Sequence, residues 1–389
     1  MLRKLLRKTP LAWLQVKREK TRLAVALAGI AFADVLMFVQ LGLKDSLYDS
    51  VAKPYHSLQG DLYLISPLFK SLNVVKSFPR ERLYQAAGEN EVESITSLYI
   101  DRGEWRNPQN RTGQTAMIFG LDLDKPALSL PEVKQHLNEL KMLNRVLYDR
   151  ASSENLFGNI TEFLKQSNPL SVQVNNFEVQ VIGTFILGAS FAADGNLITS
   201  HSTFLRLFPE RQPDRIDIGL LKLKPSANVA QVQATLQAIL RKDILVLTHA
   251  EFVEHEKKFW ETNSPIGFIF GFGAIIGFIV GIVIVYQILY SDVSEHLPEY
   301  ATLKAMGYSD SYLVGVLIQE SFILAFLGFV PGFVLSVGLY YIASSATLLP
   351  IGMTLSRAAT VMVLTIIMCV ASGSVALGKL QAADPADIF

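Results

Sequence analysis

The chain has 389 residues, 50% of them apolar and only 18% charged, below the ~25% charge of an ordinary soluble protein. Its formal net charge is +0, which argues against a nucleic-acid binder held by bulk basicity. The charges are unevenly placed: nine in residues 1–22, one in 23–43, 50 in 44–264 and ten in 265–389. That distribution excludes a soluble globular protein and predicts an α-helical membrane protein with one large water-facing domain.

In residues 1–22, Leu2, Leu5, Leu6, Leu11, Trp13 and Leu14 alternate with Arg3, Lys4, Arg7 and Lys8. The mix suits a cytoplasmic amphipathic helix lying in the membrane interface, or a basic tail that only sets topology. Residues 23–43 read as transmembrane helix 1, since about 20 apolar residues cross the hydrocarbon. The Lys and Arg residues ahead of it place the N-terminus in the cytoplasm. The run exceeds the roughly 7–15 residues of a signal-peptide core, and no small-x-small site closes it, so an uncleaved anchor is expected. Asp34 lies halfway along it. A carboxylate at that depth is costly and should face protein or water. It serves either a proton or ion path or a hydrogen bond to another helix, and the lack of basic partners in the spans favours the hydrogen bond.

Residues 44–264 are expected to form a periplasmic α+β domain, long enough to bury its own core and free of cysteine. A short strand runs from Leu62 to Ile65. Val172, Val174, the turn Asn175-Asn176, then Phe177, Val179 and Val181 alternate as a hairpin should. Ile216, Ile218 and Leu223 mark a strand ending at Pro225. Asn228-x-x-Gln231 resembles a capping box opening a helical stripe through Val229, Val232, Leu236, Ile239 and Leu240. A strand at 244–247 and a helix from about Ala250 through Phe259 and Trp260 complete the domain.

Nothing in this segment reads as catalytic. His249 and His255 stand six apart, not at the spacing of a zinc-protease helix. Ser50-x-x-Lys53 lacks the Lys-Thr-Gly companion of a serine hydrolase, and the run Gly188 to Ala192 lacks the last glycine of a nucleophile elbow.

Residues 265–290 form transmembrane helix 2. On it Gly273, Gly277 and Gly281 repeat at every fourth position, a small-residue face for close helix packing. Whether that face meets another span or a second copy of the chain stays open. A nucleotide-loop reading of Gly271 and Gly273 fails, because such a loop opens a soluble helix. Residues 291–312 form a cytoplasmic loop, 313–343 transmembrane helix 3 with Glu320, Gly328, Pro331 and Gly332, 344–357 a short periplasmic loop, 358–378 transmembrane helix 4 and 379–389 a cytoplasmic tail. Within the loop, Pro298 suits a first helical turn, Glu299 and Lys304 complement the helix dipole, and Gly307 suits a left-handed stop. The short helix so defined presents Tyr300, Leu303 and Met306, which suggests docking rather than a plain connector.

The stretch Glu299, Tyr300, Thr302, Leu303, Lys304, Met306 and Gly307 resembles the hallmark of FtsX-like ABC permeases, the family that includes MacB and the lipoprotein-release permeases. Trp13 with the basic run before Ala28-Gly29-Ile30, Glu320 with Gly328 and Gly332, and the tail Asp384-Pro385-Ala386-Asp387 resemble it too. Residues 187–200 resemble the cyanobacterial DevC-type permeases in particular. Tyr300 departs from the family's more usual aliphatic residue, and the resemblance supplies no role for Asp34.

The resemblance implies four transmembrane helices in a 1+3 arrangement, with the extracytoplasmic domain between the first and second. It implies a non-catalytic subunit in the bacterial inner membrane, with both termini cytoplasmic. Because no Walker A sequence occurs, ATP and Mg would sit on a separate ABC ATPase docked on residues 298–307. Further implied partners are a second permease copy, a periplasmic adaptor and an outer-membrane channel. Such a homodimer would work by mechanotransmission, levering its external domains, with glycolipid or other envelope cargo. The rivals are a lipoprotein-release or cell-wall-hydrolase-regulating permease and, in another class, a membrane receptor with an external sensing domain.

Overall fold

The computed structural model describes residues 20–167, 169–188, 193–240, 243–296, 298, 302, 306–308, 310–347 and 349–382. The N-terminal segment through residue 19 and the tail from residue 383, both read above from sequence, lie outside the described residues. In chain order the elements are α1 (Lys20–His56), β1 (Leu62–Ile65), β2 (Phe78–Pro79), α2 (Glu81–Ala87), β3 (Val92–Arg106), β4 (Gly113–Leu121), α3 (Pro131–Gln135) and α4 (Leu137–Leu140). There follow β5 (Arg145–Asp149), α5 (Glu154–Phe157), α6 (Ile160–Gln166), β6 (Leu170–Val174), β7 (Phe177–Phe185), β8 (Asn196–Ser200), α7 (His201–Leu207), β9 (Arg215–Ile216) and β10 (Ile218–Leu223). The chain closes with α8 (Val229–Ile239), β11 (Leu245–Thr248), α9 (His249–Asn263), α10 (Ile266–Glu295), α11 (Asp310–Thr347) and α12 (Leu355–Ala382).

Two compact units result. One holds Leu47–Ser264 with Leu348–Pro350, and the other holds the long apolar helices. Among the described residues, α1, α10, α11 and α12 each contain a stretch long and apolar enough to cross a membrane. The helix α1 continues well past the apolar run, to His56.

The mixed unit is built on a nine-stranded sheet of order β11-β1-β10-β3-β4-β8-β5-β7-β6. Two pairings, β4 with β8 and β5 with β7, are parallel. The 15-residue β3 bridges two neighbourhoods: its first half pairs with β10, its second with β4, and its end also meets β6. That last pairing, Trp105 opposite Val174, closes six strands into a ring. Both faces of the sheet are covered. Successive side chains on a strand point to opposite faces, and in β1 Leu62 and Leu64 enter one core while Tyr63 and Ile65 enter the other. This is why β1 reads as a continuous apolar run rather than an alternating one.

The Asn175-Asn176 turn is present as expected, with both residues at positive φ (47° and 65°), the requirement of a two-residue primed turn. Glu104 N donates to Asn175 Oδ1 at 2.7 Å, tying the hairpin tip to β3. One expected strand is two. Ile216 pairs with Phe78 in a separate two-stranded sheet, whereas Ile218–Leu223 joins the main sheet. Between them Asp217 is fully buried, accepts from Ile100 N at 2.8 Å and is paired with Arg211. The expected strand at 244–247 shifts by one residue, to Leu245–Thr248. Asn228 caps α8 by accepting from Ala230 N and Gln231 N, and a full reciprocal capping box opens α9, at Thr248 and Glu251.

A buried carboxylate ties three segments of this unit together. Glu256 of α9 accepts from the Tyr55 hydroxyl of α1, from Leu72 N at 3.0 Å and from Trp260 Nε1 at 2.8 Å. His249 Nε2 donates to Tyr55 O at 3.1 Å beside it. Burial pushes the Glu256 carboxyl up from 4.5 to about 7, against the pull of its three donors. A carboxyl held above its unfolded value favours the folded state below about pH 4.5, and that contribution is lost as pH rises through 7. The stability advantage of wild type over Glu256→Gln should therefore shrink between about pH 5 and pH 8 in denaturant unfolding. A difference constant across that range would count against the assignment.

Candidate functional site

The helical unit has to solve a packing problem without help from water. Lipid is as apolar as leucine, so spans associate through close contact and hydrogen bonds. Small residues supply the contact here. A Cβ placed on Gly273 would stand 2.6 Å from Gln40 Cδ, on Gly277 3.1 Å from Leu36 Cβ, and on Gly281 2.8 Å from Ala33 Cβ. The glycine face of α10 thus meets α1 of the same chain. On α11 a Cβ at Gly328 would lie 2.6 Å from Ile30 Cγ2, and one at Gly332 2.8 Å from Asp34 Cβ and 3.2 Å from Ala31 Cα. Between these two glycines α11 runs on through Pro331, whose missing N–H removes one rung of the helix ladder. Asp34 is fully buried, with Thr365 Oγ1 of α12 at 2.6 Å from its Oδ1.

At one end of this unit the last turn of α10 leads into the loop singled out from sequence. Arg22 of α1 pairs with Asp292 (3.7 Å) and with Glu295. His296 Nδ1 donates to Asp292 O at 3.0 Å and stands 3.5 Å from its Oδ1. Glu320 of α11 is 4% exposed. Beyond them, Thr302 Oγ1 donates to Pro298 O at 2.8 Å and Met306 N donates to Thr302 O at 3.0 Å, both at the four-residue spacing of a helix. Gly307 follows at φ +91°. Met306 is 63% exposed and Tyr308 42%. Glu299, Tyr300, Leu303 and Lys304 lie outside the described residues.

Residues 271–385 match the family described as FtsX-like permease C-terminal. The resemblance to FtsX-like permeases read from the loop is borne out. The match takes in α10, α11 and α12 with the loop between the first two. Among solved structures, the periplasmic region of MacB from Actinobacillus actinomycetemcomitans is similar at 16% identity and a TM-score of 0.36, covering 51% of this chain and 94% of that one. The extracellular domain of the noncanonic ABC-type transporter YknZ from Gram-positive bacteria is similar at 13% identity and a TM-score of 0.35, covering 48% of this chain and 99% of that one. No curated protein matches the chain.

The other end of the FtsX-like helices carries a cluster that the sequence reading missed. Arg357, 7% exposed, donates to Asp45 Oδ2 through Nη2 (2.7 Å) and Nε (3.1 Å) and to Gly352 O (2.7 Å). Its guanidinium also lies 5.5 Å from the centre of the Tyr340 ring, and the Tyr340 hydroxyl donates to Phe38 O. Arg357 is the sole basic residue between Lys304 and Lys379; that isolation was the available signal.

In the mixed unit Asp149 accepts from Leu187 N (3.2 Å), Gly188 N (3.0 Å) and Asn196 Nδ2 (2.8 Å), at the two ends of the stretch 187–200 singled out from sequence. Residues 189–192 lie outside the described residues. Ser50 Oγ donates to Leu47 O within α1, and His255 Nε2 donates to Phe69 O, so both serve the fold.

Gly277→Leu should insert normally, because leucine suits lipid, yet destabilise the packed helices by about 1–3 kcal/mol through overpacking. Gly271→Leu is the control, since nothing lies within 4 Å of a Cβ there. Thermal unfolding in detergent reads both. Equal melting temperatures would mean that the glycine face carries no tight contact.

Proposed function

We propose that the chain is the permease subunit of an ATP-driven ABC exporter of the mechanotransmission type. The observation that carries this reading is the FtsX-like match over residues 271–385, which contains the loop with an exposed Met306. No Walker A sequence occurs in the 389 residues, so ATP and Mg are assigned to a separate ATPase docking on 298–307. The chain itself is a non-catalytic, multi-pass subunit of the bacterial inner membrane, with its termini in the cytoplasm and residues 44–264 in the periplasm. It acts as a dimer in the 1+3 layout. Its α1, unbroken from Lys20 to His56, suits a lever better than a substrate conduit. Likeness to DevC-type permeases supports a periplasmic adaptor, an outer-membrane channel and an envelope lipid such as a glycolipid as cargo.

Binding energy at such a contact should concentrate in a few apolar anchors, here Tyr300, Leu303 and Met306, with Glu299 and Lys304 setting register at the rim. Leu303→Asp and Met306→Asp should each weaken ATPase recruitment by about ten-fold or more, because each puts a charge into a desolvated contact. Membrane insertion should be unchanged. Co-purification of the ATPase reads this, with Leu223→Asp, in the domain core, as the unfolding control. Wild-type recruitment by both loop variants would remove the docking role.

A further inference from the structure

The loop offered to the ATPase leaves α10 one turn beyond Asp292, and that turn is held to another helix by charge. Asp292 and Glu295 lie three apart on α10, hence on one face. Arg22 reaches both from the start of α1. A guanidinium suits this task because its planar fork can engage two carboxylates at once. The inner part of the site is enclosed, with Asp292 9% exposed and His296 7%, while Glu295 lies at its open edge. Ala26, Leu289, Val293 and Leu317 pack into one core around it, contributed by α1, α10 and α11. Asp292 also faces the His296 imidazole, 3.5 Å from its Oδ1. Removing Arg22 takes a cation from Asp292, whose side chain is largely buried, and losing a partner there costs more than at an exposed pair.

We propose that Arg22 is a positioning residue for energy coupling: its ion pairs to Asp292 and Glu295 lock the turn preceding the ATPase-docking loop to α1, so that movement of the loop moves α1. This rests on the permease reading above. A purely structural role would be satisfied by any change that removes the excess charge. A coupling role requires the link itself, and a double variant separates the two. Arg22→Gln removes a cation from Asp292, whereas Arg22→Gln with Asp292→Asn removes the matching anion without restoring the link.

The test uses the full chain with its ATPase, purified from the native membrane, carrying Cys369→Ala and an environment-sensitive fluorophore on a cysteine placed at Phe32, an exposed position of α1. Mg-ATP should change the fluorescence of the wild-type complex. In Arg22→Gln the ATPase should still co-purify and hydrolyse ATP, while the ATP-driven signal falls by roughly five-fold or more. The double variant should regain thermal stability but not the signal. A wild-type signal in Arg22→Gln, or its recovery in the double variant, would overturn the proposal and leave Arg22 a mere charge neutraliser. Should the wild-type chain recruit no ATPase at all, the permease reading falls, and this one with it.

Discussion

The helical unit depends on how closely backbones approach α1. Spans gain little from expelling water once they are in lipid, so their cohesion comes from contact area and from hydrogen bonds that lipid cannot offer. Gly281 of α10 and Gly328 and Gly332 of α11 admit α1 so closely that a methyl group would collide, and at Gly277 it would be tightly squeezed against Leu36. Asp34 can be carried in such a helix only because α11 and α12 enclose it, Gly332 against its Cβ and Thr365 against its carboxyl. The glycines make the enclosure, and the enclosure makes the carboxylate tolerable.

Charge then fixes the ends. Arg22 and Arg357 sit at opposite ends of the helical stretch, and each engages an acidic residue across helices, Asp292 and Glu295 in one case and Asp45 in the other. Exposed ion pairs contribute little, but Arg357 is 7% exposed and also meets a carbonyl and the Tyr340 ring. Lysine could not reproduce that combination. Contacts of this kind bring specificity of register more than net stability, which suits helices whose apolar faces alone would slide.

Much of this was legible in the sequence, and most of what was not has one cause. The positions of the long apolar helices follow from runs poor in charge, and the Asn175-Asn176 turn from residues that tolerate positive φ. What escaped depends on partners far apart in the chain: Tyr55 with Glu256, Asp45 with Arg357, Trp105 opposite Val174. No local pattern encodes such pairings. The extension of α1 to His56 was hidden for another reason. Lys44, Asp45, Asp49 and Lys53 end the hydropathy signal without ending the helix, because helix propensity is indifferent to a charge that water or an ion pair satisfies. The split at Asp217 was hidden because a buried aspartate inside an apolar run looks like one strand until its Arg211 partner is placed.

Anchoring decides whether a long helix transmits force or absorbs it. A helix fraying at its ends loses displacement to local unfolding, since terminal turns are the least stable parts of a fold. In α1 the first described turn and the last are both tied to neighbouring elements. Near its start Arg22 is held by two carboxylates. At its far end Tyr55 is held twice, its hydroxyl donating to Glu256 and its carbonyl accepting from His249. Pro54, one residue earlier, would otherwise weaken that turn, and the Tyr55 contacts compensate where the ladder is interrupted. Midway, four glycines hold the helix by shape. Within the helical unit, charge at Arg22 and shape at the glycines together resist sliding of α1 more than apolar area alone would.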